Sequence, residues 1–395
     1  MKKFNHRRTA SILALALVAT NSLSLLTPPH SSNSTGFSSL VAKGINSPIV
    51  AKADVREDST ITLDSSCVDV RDGVASSKYP EIRLKVQNTA GNIIKVKFDP
   101  NLNIKGIYES TFRSVFKGKQ FILELPDTLE TIGDSAFAGC DFISIKFNSK
   151  LKSIGNYAFS GNKSLSSVSL NYGVETLGNR TFADGSITSI TLPNTLKSIG
   201  DNCFRSNKIT EVSLPSSLTT VGINAFRNNQ ISRVDFGNYY NVRGSLKAGN
   251  GEDFGPASNG GDNPGDALMG EVNNQFIIPN GMFAYNKLTN LTLPTNIKAI
   301  GNQAFIGNDI TDINIPASVE VIYNEAFLRS YDNFNSNFTA RLNFAYGSKL
   351  RKIGYAAFNG ACIVGRLSFP STVDFIGAYS FEYNKIKELS LNGLN

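Results

Sequence analysis

The sequence contains no tryptophan and only two histidines, and both histidines, His6 and His30, lie within the first 53 residues. The rest of the chain therefore has no imidazole, which excludes Ser-His-Asp and Cys-His catalysis and histidine-ligated metal sites there. Four cysteines are present, at spacings that never give a C-x-x-C motif: Cys67, Cys140, Cys203 and Cys362. So few scattered cysteines do not make a disulfide framework, and we expect them to be buried and unpaired.

The first 53 residues have the layout of a removed export leader. Four basic residues within positions 2–8 precede an apolar run at 10–18, as in a secretory signal peptide. Polar residues interrupt the run from Thr20 onwards, so it is too short for a membrane span. The small-x-small triplet at 51–53 is the favoured cleavage site, and a cut near Ala19 is the alternative.

The chain has almost no net charge once this leader is set aside. The whole chain has 39 Lys and Arg against 32 Asp and Glu, a net charge of +7. Six of the basic residues and none of the acidic ones lie in residues 1–53, which leaves 33 against 32. The sequence therefore predicts no nucleic-acid partner, and no transmembrane span after the leader is removed.

A pattern of about 22 residues repeats along residues 102–395. Its most regular member is a phenylalanine: Phe112, Phe137, Phe159, Phe182, Phe204, Phe226, Phe283, Phe305, Phe327, Phe358 and Phe381. Most steps are 22 or 23 residues, and an aliphatic residue stands five positions before every one of these rings. A fixed period of this length predicts a solenoid whose stacked units bury the rings as one column.

Each unit also carries strand and turn signals. Ile187, Ile190 and Leu192 begin one unit with the apolar alternation of a short strand that has one buried face. Gly200 follows the aliphatic position, and we expect it to adopt a backbone φ that is unfavourable for residues with a side chain. Asn207 follows the phenylalanine, and its amide is expected to bond main-chain groups in a tight bend.

The repeated pattern resembles a known family of repeats. "ITSITLPNTLKSIGDNCFRSN" (187–207) and "ITDINIPASVEVIYNEAFLRS" (310–330) are similar to the leucine-rich repeat of BspA-like bacterial surface proteins. Gln275 and Tyr323 depart from the pattern. The resemblance implies an α/β-type solenoid, a leucine-rich repeat horseshoe of about 11 units with a parallel β-sheet on its concave face. A parallel β-helix is the alternative architecture.

Residues 54–101 do not fit the repeat and are predicted to form an N-terminal β cap. Ile82, Leu84 and Val86 alternate with polar residues, and a second alternating stretch follows at 94–98. Two such stretches separated by a turn-forming segment predict a β-hairpin. A repeat array needs a terminal unit of this kind to cover its first apolar coil.

Two steps between phenylalanines are long and predict inserted loops, at about 237–274 and 329–337. The first loop is rich in Gly, Asn and Asp, which favours an exposed segment. Glu252, Asp253, Asp262 and Asp266 give it an alternative role as a calcium site, although they lack the spacing of an EF-hand loop.

The outward positions of the predicted strands are small and polar. We predict a ligand-binding concave face made of these side chains: Thr188, Thr191, Thr210, Glu211, Ser213, Arg233, Asp235, Asn290, Thr292, Asp312 and Asn314. An extended sheet of this kind offers many contacts to a large partner. A face that is merely solvated is the other interpretation.

The family resemblance implies a secreted or cell-surface bacterial protein that binds other macromolecules. An adhesin for host matrix or cell-surface glycoproteins is expected, with no enzymatic activity, no cofactor and no metal. One alternative is a glycan-acting enzyme that uses the carboxylates of Glu211, Asp235 and Asp312, and another is a structural spacer. The last strand, near residues 386–391, is expected to pair with another chain or with further sequence.

Overall fold

The computed structural model of the protein describes residues 59–237, 243–244, 276–329 and 338–390. The expected leader at 1–53 lies outside these ranges. Most of the two expected inserted loops, including the four acidic residues of the alternative calcium site, also lies outside the described residues.

Within these described ranges, short strands make up most of the regular structure, together with one α-helix, α1 (Tyr79–Asn88), and a 3-10 helix at Pro100–Leu102. In chain order the strands are β1 (Thr60–Leu63), β2 (Val68–Arg71), β3 (Val74–Ser77), β4 (Ile93–Phe98), β5 (Gly106–Ile107), β6 (Gln120–Glu124), β7 (Thr131–Ile132), β8 (Phe142–Lys146), β9 (Ser153–Ile154), β10 (Ser167–Ser169), β11 (Thr176–Leu177), β12 (Ser189–Thr191), β13 (Ser198–Ile199), β14 (Glu211–Ser213), β15 (Thr220–Val221), β16 (Arg233–Asp235), β17 (Arg243–Gly244), β18 (Ile277–Ile278), β19 (Ala299–Ile300), β20 (Asp312–Ile315), β21 (Val321–Ile322), β22 (Arg341–Phe344), β23 (Lys352–Ile353), β24 (Val364–Ser368), β25 (Phe375–Ile376) and β26 (Lys385–Ser390).

The longer strands follow the alternation that the sequence predicts. They pair in parallel in the orders β1-β4-β6-β8, β10-β12, β14-β16, β20-β22 and β24-β26. In β14, for example, Val212 is buried while Glu211 and Ser213 are exposed. We call this set the long-strand row, and its apolar residues face the core.

A second row of two-residue strands runs along the other side of each repeat, and the sequence analysis missed it. One sheet has the order β17-β15-β13-β11-β9-β7-β5-β3-β2, and another has the order β18-β19-β21-β23-β25. All of these pairs are parallel except β2 with β3. The aliphatic residue five positions before each phenylalanine, such as Ile199, is the second residue of a short strand. It is buried in every unit except the last described one, where Ile376 is exposed.

The phenylalanine column is confirmed. Ten successive ring pairs from Phe112 to Phe381 have centroids 5.1–6.0 Å apart and interplanar angles of 3–14°. This is the offset stacking that aromatic quadrupoles favour. Every ring is buried except Phe381, which is half-buried at the end of the column.

The column continues across the longest step of the repeat. Phe226 stacks directly on Phe283 with centroids 5.6 Å apart, and Asn286 donates its Nδ2–H to the Phe226 carbonyl at 3.0 Å. The two units therefore pack as neighbours in the core although many residues separate them in sequence.

The recurring asparagines bond main-chain groups, as predicted. Asn207 donates from Nδ2 to the carbonyls of Phe182 and Phe204 at 2.8 and 3.1 Å. Its Oδ1 accepts the Ile187 N–H at 3.0 Å. Asn229 and Asn308 make equivalent sets of bonds. These buried amides satisfy backbone groups that the bend would otherwise leave unpaired.

The expected reason for the recurring glycine was wrong. Gly200 and its equivalents do not have positive φ. A Cβ at Gly200 would instead lie 2.5 Å from the Gly178 carbonyl carbon and 2.6 Å from the Asn179 nitrogen, so glycine permits two backbones to approach.

Left-handed residues, with φ of 49–60°, occur two positions before each phenylalanine: Ser110, Ser135, Tyr157, Arg180, Asn202, Asn224, Gly281, Gln303, Glu325, Ala356 and Tyr379.

The strand predicted at 82–86 was also wrong, because this segment forms α1. Ile82 and Val86 are buried one helical turn apart, while Leu84 is exposed. Pro80 lies in the first turn of the helix, where its missing N–H costs no hydrogen bond. The antiparallel hairpin of this region is β2–β3, whose turn residues Asp72 and Gly73 both have positive φ.

The phenylalanine column predicts a large cost for removing one ring. We expect Phe204→Ala to lower the free energy of unfolding by about 3–5 kcal/mol, because the ring is buried between two others. Urea unfolding followed by circular dichroism measures the change. Tyr172→Ala, at an exposed aromatic position, is the control, and an equal loss in both variants would contradict the assignment.

The asparagine bonds predict a smaller cost. Asn207→Ala leaves the carbonyls of Phe182 and Phe204 and the N–H of Ile187 without this partner, so we expect a loss of about 1–3 kcal/mol. Asn194→Ala, at an exposed turn position, is expected to stay close to wild type in the same unfolding experiment. A neutral effect of Asn207→Ala would show that water replaces the amide.

Candidate functional site

The predicted binding residues lie on the outward side of the long-strand row, and we call this surface the polar face. Ten of the eleven are exposed and Asp312 is half-buried. Their alternate neighbours, such as Val212 and Ile313, point into the core. The structure therefore gathers all eleven on one side of the coils, while the concave curvature expected for this side stays a prediction.

Strand register places charged residues next to one another at the middle of the polar face. Glu211 lies opposite Arg233, and Ser213 lies opposite Asp235. Glu211 and Asp235 are therefore diagonal neighbours on β14 and β16. Among the described residues, Glu211 and Arg233 make no ion pair and no side-chain hydrogen bond, and Asp235 accepts only the Gly237 N–H at 2.8 Å.

Hydroxyl groups along the edge of the polar face bond the preceding coil. Thr188 and Thr311 donate from Oγ1 to the carbonyls of Ser166 and Thr289 at 3.0 and 3.3 Å. These bonds fix the rotamers of the two threonines and leave the oxygen lone pairs as acceptors. This edge therefore presents hydroxyl oxygens in fixed positions, where they can accept hydrogen bonds from a ligand.

A second charged group lies further along the polar face and is already paired. Arg341 donates from Nε to Asp312 Oδ1 at 2.8 Å, and Asn343 donates from Nδ2 to Asn314 Oδ1 at 3.0 Å. The hydrogen bond from Arg341 holds the pKa of Asp312 below its usual value. Sequence reasoning missed Arg341 and Asn343, although each occupies the strand position of the residue it pairs with.

The opposite side of the coils carries an alternating row of charges, which the sequence analysis also missed. Charged residues stand seven positions before nine of the eleven phenylalanines: Lys105, Glu130, Lys152, Glu175, Lys197, Lys298, Glu320, Arg351 and Asp374. Lys197 Nζ lies 2.6 Å from Glu175 Oε2, and Lys298 Nζ lies 2.8 Å from Glu320 Oε1. We call this set the charge ladder. Ion pairs join all of its members except Lys105, which favours a structural role.

The cysteines behave as expected. All four are buried and unpaired, and burial raises the pKa of Cys140 and of Cys203 to about 12. Thiols of this kind are unreactive packing residues.

Neither a metal-binding cluster nor a membrane-spanning helix occurs in the described part of the chain. No cluster of three or more His, Cys, Asp or Glu side chains there could hold a metal ion. No helix in the same residues has the length and apolar character that a membrane crossing requires.

The Asp312–Arg341 pair predicts a measurable titration shift. A carboxyl with a depressed pKa adds stability above its ordinary pKa and loses it as the pH falls through the lowered value. We expect carboxyl NMR to show Asp312 titrating below the usual aspartate range, and Arg341→Gln to move its midpoint up towards that range.

The matched control is Asn343→Ala, which removes a neighbouring side chain that bonds Asn314 instead. The Asp312 midpoint should stay unchanged in this variant. An unmoved midpoint in Arg341→Gln would show that the pair has no influence in solution.

Comparison with known proteins agrees with the repeat geometry. The family described as "BspA type Leucine rich repeat region" matches in 6 copies, at residues 77–141, 130–245, 271–333 and 333–395. These ranges take in well over half of the 395 residues. This match favours a leucine-rich repeat over the alternative parallel β-helix. A comparison with functionally curated proteins gave no match.

Solved structures resemble the chain at low identity. A leucine-rich repeat protein from Bacteroides ovatus is 20% identical over 72% of each chain, with a TM-score of 0.42. The pneumococcal vaccine antigen PcpA is 15% identical over 83% of this chain and 84% of that one, with a TM-score of 0.47.

A leucine rich cell surface protein from Faecalibacterium prausnitzii is 18% identical over 73% of this chain and 83% of that one, with a TM-score of 0.28. These TM-scores are too low to support an argument from superposition, so the assignment depends on the repeat matches. On that basis the chain belongs to the BspA-type leucine-rich repeat family.

Proposed function

We propose that the protein is a secreted or cell-surface bacterial protein that binds other macromolecules through its polar face. The proposed role is that of an adhesin for host matrix proteins or cell-surface glycoproteins. The export signal expected at residues 1–53 supports this location.

The observation that carries this proposal is the set of charges at the middle of the polar face. Glu211, Arg233 and Asp235 are exposed side by side on β14 and β16. Within the described residues, none of them forms an ion pair. A ligand can therefore gain charge-assisted hydrogen bonds here without breaking an internal ion pair.

The strands below this site reduce the cost of binding. Val212 is buried in the long-strand row, and the backbones of β14 and β16 are hydrogen-bonded in parallel. Because the backbone is already ordered, association loses little conformational entropy there. The affinity comes from many modest contacts along several coils.

Both signs of charge on the polar face favour a protein or glycoprotein partner over nucleic acid. Arg233 and Arg341 alternate with acidic residues at the same strand positions. A nucleic-acid surface would need a continuous basic stripe.

The glycan-acting alternative receives no support from Asp312. A glycosidase needs one carboxyl whose pKa is raised so that it can donate a proton. The hydrogen bond from Arg341 shifts the pKa of Asp312 in the opposite direction.

The test compares charge changes on the two sides of the coils. We expect Thr210→Tyr combined with Arg233→Glu to weaken binding by at least about tenfold, because one change blocks the surface and the other reverses a contact charge. Biolayer interferometry against purified fibronectin, laminin, collagen and fibrinogen measures the affinity.

The matched control neutralises a pair on the charge ladder, Glu175→Gln with Lys197→Gln, which removes one exposed ion pair and sets no like charges against each other. Its affinity and thermal stability should equal those of the wild type. If the polar-face variant binds as tightly as the wild type, the binding site lies elsewhere on the protein. No binding by the wild type to any of these proteins would favour the structural spacer.

A further inference from the structure

The polar face is basic where the strands β4, β6 and β8 form it. The outward residues of these strands include Lys95, Lys97, Glu124 and Lys146. Lys97 lies opposite Glu124, and Glu124 lies opposite Lys146 on the next strand. We call these four residues the basic end. Three ammonium groups around one carboxylate give the basic end a net positive charge, which the sequence analysis missed.

The single carboxylate of the basic end is already paired within it. Lys95 Nζ lies 3.4 Å from Glu124 Oε1, and these two side chains are 34% and 33% exposed. Lys97 and Lys146 are exposed on either side of Glu124, and within the described residues neither of them forms an ion pair. Glu124 therefore offsets the charge of Lys95, and two ammonium groups remain to bind a negatively charged ligand.

The two exposed lysines are held at a fixed spacing. Val96 and Leu123, which alternate with the outward residues, are fully buried, so β4 and β6 cannot turn their outward sides away. Parallel strands lie roughly 4.8 Å apart, which places the Cα atoms of Lys97 and Lys146, two strands apart, at about 10 Å from each other. Linear glycans of the uronic acid type carry a carboxylate on every second sugar, and two sugar units have a similar length. Successive carboxylates of one chain can therefore reach both lysines.

Hydroxyl groups continue the polar face beyond the basic end. Ser144 lies on β8, which β10 contacts. On β10 and β12, Ser167 lies opposite Ser189, and Ser169 lies opposite Thr191. Among the described residues, none of these five hydroxyls makes a side-chain hydrogen bond. They can therefore donate to and accept from the hydroxyl groups of a sugar chain that passes along the face.

The chemistry of these strands favours an acidic glycan over a nucleic acid. The aromatic residues of β4, β6 and β8 are Phe98, Phe121 and Phe142, and all three are buried in the core. The outward side of these strands therefore offers no ring on which a base could stack. A neutral glycan would leave Lys97 and Lys146 without a counter-charge. Carboxylate or sulfate groups on a sugar chain supply that charge, and the sugar hydroxyls match the serines.

We propose that the basic end of the polar face binds a linear acidic glycan, a sugar chain that carries carboxylate or sulfate groups at regular intervals. Lys97 and Lys146 pair with successive anionic groups, and the hydroxyls of β10 and β12 bond the sugars that follow. This ligand class rests on the proposed function, because it specifies which part of a glycoprotein the same face recognises.

The experiment titrates the full chain with chondroitin sulfate oligosaccharides of defined length by isothermal titration calorimetry. Hyaluronan, which has carboxylates but no sulfates, shows which anionic group is needed, and neutral dextran should not bind. We expect Lys97→Gln combined with Lys146→Gln to weaken the binding of chondroitin sulfate about fivefold, because two exposed ion pairs are lost. Added salt should weaken binding by the wild type, because it screens exposed charges.

The matched control is Lys105→Gln combined with Lys349→Gln, which removes the same charge from two exposed lysines outside the polar face. Its affinity should equal that of the wild type, and circular dichroism confirms that each variant is folded. Equal affinity in the Lys97 and Lys146 variant, or an equal loss in the control, would overturn the proposal. Binding of single-stranded DNA as tightly as chondroitin sulfate would also overturn it.

Matrix proteins stripped of their glycans by enzymes separate this proposal from the proposed function. If the wild type binds the stripped proteins and not the free glycans, the acidic glycan is wrong and the binding role of the polar face stands. If the wild type binds the free glycans but no matrix protein, the basic end is supported and the matrix-protein adhesin is not.

Discussion

Hydrogen bonding between the backbones of successive coils is the constraint on which the rest of the fold depends. The turn around each phenylalanine takes part in it as fully as the strands do. Asn202, Phe204 and Ser206 donate their N–H groups to carbonyls of the following coil at 2.8–2.9 Å. Left-handed residues on either side of the ring, Asn202 and Ser206 in this unit, give the chain this orientation. The stacked rings fill the space that these bonds enclose.

The regular parts of this arrangement could be predicted because they repeat in residue type. Ring spacing identified the column, and alternation identified the long-strand row. The short strands could not be predicted, because two residues are too few to show a period. The left-handed positions hold serine, tyrosine, arginine and alanine among others, so no residue type marks them. Ile82, Leu84 and Val86 fit both a two-residue and a four-residue period, and burial of a helix face decided between them.

The candidate site, like the fold, could be predicted from the sequence only in part. Alternation correctly placed the outward residues, since the side chains of a strand point to opposite faces in turn. The spacing of residues in the sequence does not give the distances between their side chains in the fold, so it could not show which charges are paired. Arg341 lies within the step of 31 residues between Phe327 and Phe358, so its position opposite Asp312 emerged only from strand register. That pairing separates an internally satisfied part of the polar face from the part around Glu211 and Arg233.

The charge ladder has a consequence for how the array assembles. Neighbouring coils are so alike that a coil could dock on the wrong copy, one place too far along the chain. Lys105, Glu130 and Lys152 follow one another with alternating sign, and skipping one coil would set lysine against lysine. The correct neighbour brings attraction instead, as at Lys197 and Glu175. Each surface ion pair contributes little stability by itself. Together, however, the ion pairs favour the packing of each coil on its correct neighbour over packing on the similar coil one place further along.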